Sequence, residues 1–337
     1  MKILVIGGTQ LLGRHMVESL LAGGHTVTLF NRGRTRPHLF PEAERLIGDR
    51  DTGDLDALRG RQWDAAIDAT AYVPRAVRQL ADVIRDSVRQ MVYISSASAY
   101  RAPLSPDADE SAPLETMEDE TSEEIMAHYG ALKALCEREA ERAYPGRVLN
   151  IRPGLVAGPY DHTFRVTYWV WRCGQGGEML VAGRPSNAIQ FIDGRDLAQF
   201  IRGGLERNLS GSFNLVGHSQ SWADFIRQGQ TISGGNARPV WIDDEDFLEA
   251  SVPPDSNFSL AYPVYWPQSE GDFHRTSPQK ALAAGLSLRP VEETLRGAIE
   301  WYNQRAPEDV FRPSGLKPDA EQEIIARWQI RQQPVMD

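Results

Sequence analysis

Tyr129 and Lys133, in the run His128-Tyr129-Gly130-Ala131-Leu132-Lys133, stand four residues apart and would share one face of a helix. There an ammonium lowers a phenol's pKa towards neutrality and can hold a ribose, so the phenol can pass a proton to or from a substrate oxygen. The same spacing occurs on many solvated helix faces. The pair therefore carries weight only where other parts of the chain agree with it.

Those parts begin at the amino terminus, where Lys2 to Ile6 reads as a short buried strand. It runs into Gly7-Gly8-Thr9-Gln10-Leu11-Leu12-Gly13, and Met16, Leu20 and Leu21 then follow a helical pattern. In a strand, glycine turn and helix of this kind the backbone can approach a pyrophosphate, and the first amides of the helix favour the anion. A second strand, Thr26 to Phe30, ends in Asn31-Arg32-Gly33-Arg34, where a βαβ unit presents its ribose-reading residues. Asn31 replaces the acid that would accept from an NAD ribose, while Arg32 and Arg34 offer positive charge suited to a 2′-phosphate. NADP is thus the preferred cofactor and NAD the alternative, unless the two arginines merely decorate a loop.

Further apolar runs, Ala65 to Ala69, Gln90 to Ile94, Arg147 to Ile151 and Gly211 to Val216, alternate with helical stretches and predict a parallel α/β sheet. After one of them comes Ser95-Ser96-Ala97-Ser98-Ala99-Tyr100. With the glycine turn, the serine cluster and the Tyr129, Lys133 pair in this order, the chain resembles the extended short-chain dehydrogenase/reductase superfamily. Arg152-Pro153-Gly154 with Gly158-Pro159, Phe191-Ile192-Asp193-Gly194-Arg195-Asp196-Leu197-Ala198, and Lys280-Ala281-Leu282 ahead of Trp301-Tyr302 match it as well. Within the superfamily it is similar to the bacterial NAD-dependent epimerase/dehydratase family proteins, an atypical branch that also resembles the chloroplast stem-loop binding proteins.

The resemblance implies a Rossmann-type doubly wound parallel sheet with a smaller, discontinuous α/β substrate-binding lobe. Residues 1–160 and about 188–216 would form the cofactor domain, and about 161–187 and 217–337 the lobe. It implies Ser96 as the hydroxyl that polarises a carbonyl, Tyr129 as proton donor or acceptor, and Lys133 as holder of tyrosinate and ribose. Cofactor contacts would come from Gly7, Thr9, Gln10, Leu11, Leu12 and Gly13, from Asn31, Arg32 and Arg34, and from Asp49 at the adenine edge. Ala69, Thr70 and Ala71 would lie near the inner ribose, with Lys133 and Pro153 completing the set. Gln10 departs from the pattern by replacing the middle glycine.

Other departures bear on the reaction. Ala97 and Ser98 occupy positions where sugar-nucleotide dehydratases carry an acid, which disfavours dehydration. Ile189 and a position near Pro267 stand where epimerases carry arginines that clamp a diphosphate, although Arg184, Arg165 or Arg275 could substitute. The favoured reading is an NAD(P)-dependent oxidoreductase interconverting a carbonyl and an alcohol on a small organic substrate. A sugar or sugar-nucleotide epimerase with tightly held NAD, and a non-catalytic cofactor- or RNA-binding protein, remain as alternatives.

At 337 residues the chain exceeds one typical domain. A net charge of -10 without a basic cluster argues against nucleic acid as a partner. The two cysteines, Cys136 and Cys173, fit no metal-ligand pattern and suggest a reduced, cytoplasmic compartment; no metal is expected. No run approaches the ~18 to 20 apolar residues of a membrane span, so no membrane association is expected. A homodimer is compatible with the superfamily. Arg101 to Glu124, rich in Pro, Asp and Glu, reads either as a loop over the site or as a solvated connector. Phe164, Tyr168, Trp169 and Trp171, with Tyr262, Tyr265 and Trp266, read either as an apolar pocket or as core.

Overall fold

The computed structural model describes residues 1–265, 273–305 and 314–333. In chain order the elements are β1 (Lys2–Ile6), α1 (Leu11–Ala22), β2 (Thr26–Asn31), β3 (Glu44–Ile47), β4 (Trp63–Asp68), α2 (Pro74–Ile84), β5 (Val88–Ile94), α3 (Ile125–Ala143), β6 (Val148–Pro153) and β7 (Leu155–Ala157). There follow α4 (Arg165–Gly174), β8 (Glu178–Ala182), β9 (Ala188–Ile189), β10 (Phe191–Asp193), α5 (Gly194–Glu206), β11 (Gly211–Leu215), β12 (Gln220–Ser221), α6 (Trp222–Ser233) and β13 (Arg238–Ile242). The last elements are α7 (Glu245–Ala250), α8 (Phe258–Ala261), α9 (Gln279–Ala283), α10 (Val291–Gln304) and α11 (Pro318–Arg331).

Seven strands form one parallel sheet in the order β11-β6-β5-β4-β1-β2-β3. Ile3, Leu4 and Val5 of β1 are fully buried, as they must be in a strand covered on both faces. One face carries α1 and α5 through Met16, Leu20, Leu197 and Ile201; the other carries α2 and α3 through Leu80, Ile84, Cys136 and Ala140. Successive strands step outward from β1 in both directions, so the sheet changes direction between β1 and β4. A crevice opens at the carboxyl ends of strands at such a switch point. The glycine turn after β1 stands at that point.

Strands predicted from apolar runs are present, β1 with the predicted ends and the others with ends shifted by at most two residues. Strand β3, with the sequence Glu-Arg-Leu-Ile, had no such run to reveal it, because at the sheet's edge only Leu46 is buried.

By contact density the chain divides into two units, Met1–Val156 with Ile192–Gly217 and Gly271–Leu288, and Ala157–Phe191 with His218–Glu270 and Arg289–Asp337. The sequence pattern assigns the stretch around α9 to the lobe. It clusters instead with the sheet unit, because Ala281 and Leu286 are buried in its core and Lys280 Nζ donates to Ser212 O of β11 at 2.8 Å. The second unit is built on the parallel pair β8 and β13 with α4, α6, α10 and α11. Phe164, Tyr168 and Trp169 are buried in it, and Tyr262 and Tyr265 likewise, so these aromatics are core rather than the wall of an open pocket. Trp266 and Pro267 lie outside the described residues.

No helix among the described residues is long and apolar enough to cross a membrane. Nor does any group of three or more His, Cys, Asp or Glu among them converge as metal ligands would.

Candidate active site

The glycine turn is shaped by what it must avoid. Gly7 adopts φ 102°, a region closed to most side chains, and a Cβ there would lie 2.8 Å from Thr70 Cγ2. A Cβ on Gly13 would press to 3.0 Å on the main chain of Gly8, so the first turn of α1 packs directly on the loop before it. Gln10 caps α1 with an extended backbone (φ -126°, ψ 156°) and no side-chain hydrogen bond, and no acid occupies the first turn. These uncapped amides, with no carboxylate competing for them, suit an anion such as a pyrophosphate.

Around the turn lies a cavity of about 430 Å³. Of the residues expected at a cofactor, Gly7, Thr9, Gln10, Leu11, Leu12, Gly13, Asn31, Arg32, Arg34, Asp49, Ala69 and Thr70 line it. Ala71, Lys133 and Pro153 do not. Ala71 is fully buried, Pro153 is paired with Leu215 in the sheet, and Lys133 is 3 % exposed.

Asn31 occupies the ribose-reading position at the end of β2, but its side chain is committed elsewhere. Its amide donates to Gly7 O at 2.9 Å, and its carbonyl accepts from Gly33 N at 2.9 Å and Arg45 Nη1 at 3.2 Å. Arg32 and Arg34 are exposed on the cavity rim, Arg32 within 3.9 Å of Asp51. No local pattern singles out Arg50. Its guanidinium is buried, pairs with both Asp68 oxygens, and donates to Thr70 Oγ1 at 2.9 Å and Ala76 O at 3.0 Å. Asp68 also accepts from Thr70 N and Ala71 N, so this ion pair fixes the loop after β4 as one wall of the cavity.

That loop leads to Tyr72, which the sequence analysis did not single out. It lines the cavity and its ring lies 6.3 Å from that of Tyr129. The helical register of α3 is broken at His128 (φ -130°, ψ 28°), so a continuous helix carries Tyr129 and Lys133 on one face only from the tyrosine onward. Next to the tyrosine, a Cβ on Gly130 would overlap the carbonyl oxygen of Ser98. Glycine at 130 is what lets α3 sit directly on the serine turn.

Within that turn Ser95 is buried, while Ser96 is half-buried and its Oγ accepts from Ser98 N at 3.1 Å, which leaves the Ser96 hydroxyl hydrogen free to point away. Lys133 Nζ donates to Ile94 O at 2.6 Å and Ala71 O at 3.0 Å, and lies 4.7 Å and 5.1 Å from the ring centres of Tyr93 and Tyr72. Burial pushes the lysine's pKa down to about 8.

The segment from Arg101 to Glu124 is fastened to the sheet unit. Glu115 N donates to Ala99 O at 2.8 Å, and the Glu110 carboxylate accepts from Asn214 N at 2.7 Å. Arg152 pairs with Glu137 in the interior and donates to Tyr100 Oη at 2.9 Å and Glu110 O at 3.2 Å, while Tyr100 Oη donates to Asn214 at 2.6 Å. A buried network thus joins the Arg152-Pro153 element to the serine turn and the acidic segment.

In the second unit Ile189 is buried and paired with Gln220, and Arg184 forms an exposed ion pair with Asp243. Arg165 donates to Thr163 Oγ1 at 3.2 Å.

A doubly wound parallel sheet, a glycine-turn cavity at its switch point, and Ser96, Tyr129 and Lys133 on adjoining elements define an extended short-chain dehydrogenase/reductase. The chain belongs to the NAD dependent epimerase/dehydratase family, whose model matches residues 3–215. It is 24 % identical over 339 residues to the chloroplast stem-loop binding protein of 41 kDa b of Arabidopsis thaliana, covering 92 % of this chain and 81 % of that protein. It is 28 % identical over 224 residues to a 2-alkyl-3-oxoalkanoate reductase of Stenotrophomonas maltophilia, covering 60 % of this chain and 64 % of the reductase. Among solved structures, the Bordetella bronchiseptica enzyme WbmG in complex with NAD superposes with a TM-score of 0.69 at 18 % identity, covering 92 % of this chain and 96 % of that one. A UDP-glucose 4-epimerase of Thermus thermophilus in complex with NAD gives 0.66 at 17 % identity, covering 91 % and 100 %. At such identities the structural likeness bears on the fold alone.

Proposed function

We propose that this chain is an NAD(P)-dependent oxidoreductase that interconverts a carbonyl and an alcohol on a small organic substrate, with Tyr129 as the proton donor and acceptor. The observation that carries this reading is the run from glycine turn to Tyr72 to Tyr129. In this run the partly exposed phenol of Tyr129 stands beside Tyr72, a lining residue of the cavity, and the buried Lys133 follows one helical turn on.

A nicotinamide dinucleotide, when bound, supplies or accepts the hydride. The amides of the glycine turn and of α1 bind the pyrophosphate, Asp49 meets the adenine edge, and Arg32 and Arg34 meet a 2′-phosphate, which favours NADP over NAD. Ser96 donates to the carbonyl oxygen of the substrate. Tyr129 then gives that oxygen its proton, or removes it in the oxidative direction, and Lys133 supplies the positive charge that holds the tyrosinate.

The name of the reductase relative supports a ketone substrate. Epimerase chemistry would use the same three residues, but Ile189 offers no guanidinium for a diphosphate. Nucleic-acid binding, suggested by the Arabidopsis relative's name, is opposed by the net charge of -10.

The reading is tested with Tyr129→Phe, using NADPH and a 2-alkyl-3-oxoalkanoate as probe. Turnover by the parent and its loss in the variant, with NADPH affinity retained, is the expected result. A variant that keeps full turnover sinks it, and NAD released only on denaturation moves the assignment to the epimerase.

A further inference from the structure

Tyr72 belongs neither to the glycine turn nor to the Ser96, Tyr129, Lys133 set, yet it touches both. Its ring lines the cavity, lies 6.3 Å from the ring of Tyr129 with the planes at 41°, and lies 5.1 Å from the Lys133 ammonium. The main chain that leads to it is held through both peptide units that flank Ala71. Ala71 N donates to Asp68 Oδ1 at 3.1 Å, and Ala71 O accepts from Lys133 Nζ and Tyr93 Oη at 3.0 Å each. A large aromatic on so fixed a mount, 43 % exposed, is held there by its backbone rather than by core packing.

The ammonium beneath it is unusual for this chain, whose lysines are Lys2, Lys133, Lys280 and Lys317 among many arginines. Two of the three hydrogens on Lys133 Nζ go to main-chain carbonyls, and no carboxylate among the described residues is bonded to it. Its charged neighbours act through space. Burial opposes the cation most, and Arg50, in the loop after β3, opposes it too; Asp68 of β4 and Glu137 of α3 favour it, while burial pushes the Cys136 thiol of α3 up to about 11 and keeps it neutral. With no direct counter-ion among the described residues, the π faces of Tyr72 and Tyr93 lie close enough to stabilise the charge.

We propose that Tyr72 is a positioning residue whose ring holds the Lys133 ammonium charged beside Tyr129, and so sets the upper pH limit of proton transfer at that phenol. This inference rests on the reading of Tyr129 and Lys133 as the acid/base pair. It assigns Tyr72 no bond to substrate.

The test is an NMR titration of the protein labelled with 13C at the lysine ε carbon, where each of the named lysines gives its own signal. Tyr72→Phe keeps a π face, and the Lys133 midpoint stays at the parent's value. Tyr72→Leu removes it, and the midpoint falls by about half a pH unit to one unit, while those of Lys280 and Lys317 stay in place and report an intact fold. Tyr72→Met gives the same reading if the leucine variant does not fold. In turnover, the alkaline limb of the Tyr72→Leu profile moves to lower pH by the same amount. An unmoved midpoint overturns the proposal, including the case where KM rises and Tyr72 is only a substrate wall. A Tyr129→Phe enzyme that still turns over removes the catalytic reading yet leaves the titration result standing, so the two failures are distinguishable.

Discussion

The side-chain amide of Asn31 donates to the carbonyl of Gly7 at 2.9 Å, fastening the end of β2 to the turn after β1. An acid at this position is the usual means of reading an NAD ribose. In this chain Asn31→Asp cannot make that switch, because a carboxylate has no hydrogen to donate and would face the Gly7 carbonyl. The variant should lose about 1–3 kcal/mol of stability and bind NADH more weakly, not more tightly. Thermal denaturation and calorimetric titration of the two proteins check this, and a gain in NADH affinity would refute it.

Arg32 and Arg34 stand on the cavity rim with no buried ion pair among the described residues to occupy them. If they meet a 2′-phosphate, replacing both by Ala should weaken NADPH binding by about tenfold or more and leave NADH binding nearly unchanged. Parent affinity for NADPH should also fall with added salt, since both groups are solvent-screened. Equal losses for the two nucleotides would show that the arginines act on a part the nucleotides share.

These two cases mark what sequence could and could not reveal. The βαβ unit, the serine turn and the Tyr129, Lys133 spacing are local patterns, and each appears in the structure where its pattern predicted. Asn31 was legible as a position but not in its role, because its partner Gly7 lies in the preceding strand's turn. Arg50 and Asp68 are 18 residues apart and meet only through the sheet. The stretch around α9 carries a short helix whose apolar residues, Ala281 and Leu286, name no particular core, so its place beside β11 could not be read. Tyr72 is illegible for a similar reason: nothing about a single tyrosine after Ala71 signals a ring poised between a cavity and another phenol.

Gly130 supplies a steric prediction. A methyl group at this position would overlap Ser98 O, and the obstacle is main chain that cannot swing aside. Gly130→Ala should lower stability by about 1–3 kcal/mol through overpacking, despite alanine's better helix propensity. Because the shift separates α3 from the serine turn, turnover should fall further than the fraction unfolded explains. Denaturant unfolding beside kcat measured well below the melting temperature separates the two effects; a variant as stable as the parent would mean that α3 does not sit on the turn as described.

Lys133 makes stability depend on pH in a direction opposite to a surface lysine's. Its folded pKa is held near 8 by burial, against 10.5 for the ordinary group. Between those values the unfolded chain binds the proton that the folded protein has already released, so raising pH through this window favours the folded state. Below pH 8 both states are protonated and the folded protein bears the full cost of a buried ammonium. Relative to a Lys133→Met reference, which removes the titration but keeps the chain's length and apolar stem, the parent should gain up to about 3 kcal/mol between pH 8 and 10.5. Urea unfolding of both proteins at several pH values across that window gives the difference directly, with all other titrating groups common to the pair. A flat difference would mean that Lys133 is as well solvated when folded as when unfolded, and its contacts with Ala71, Ile94 and the two tyrosine rings would then not describe the protein in solution.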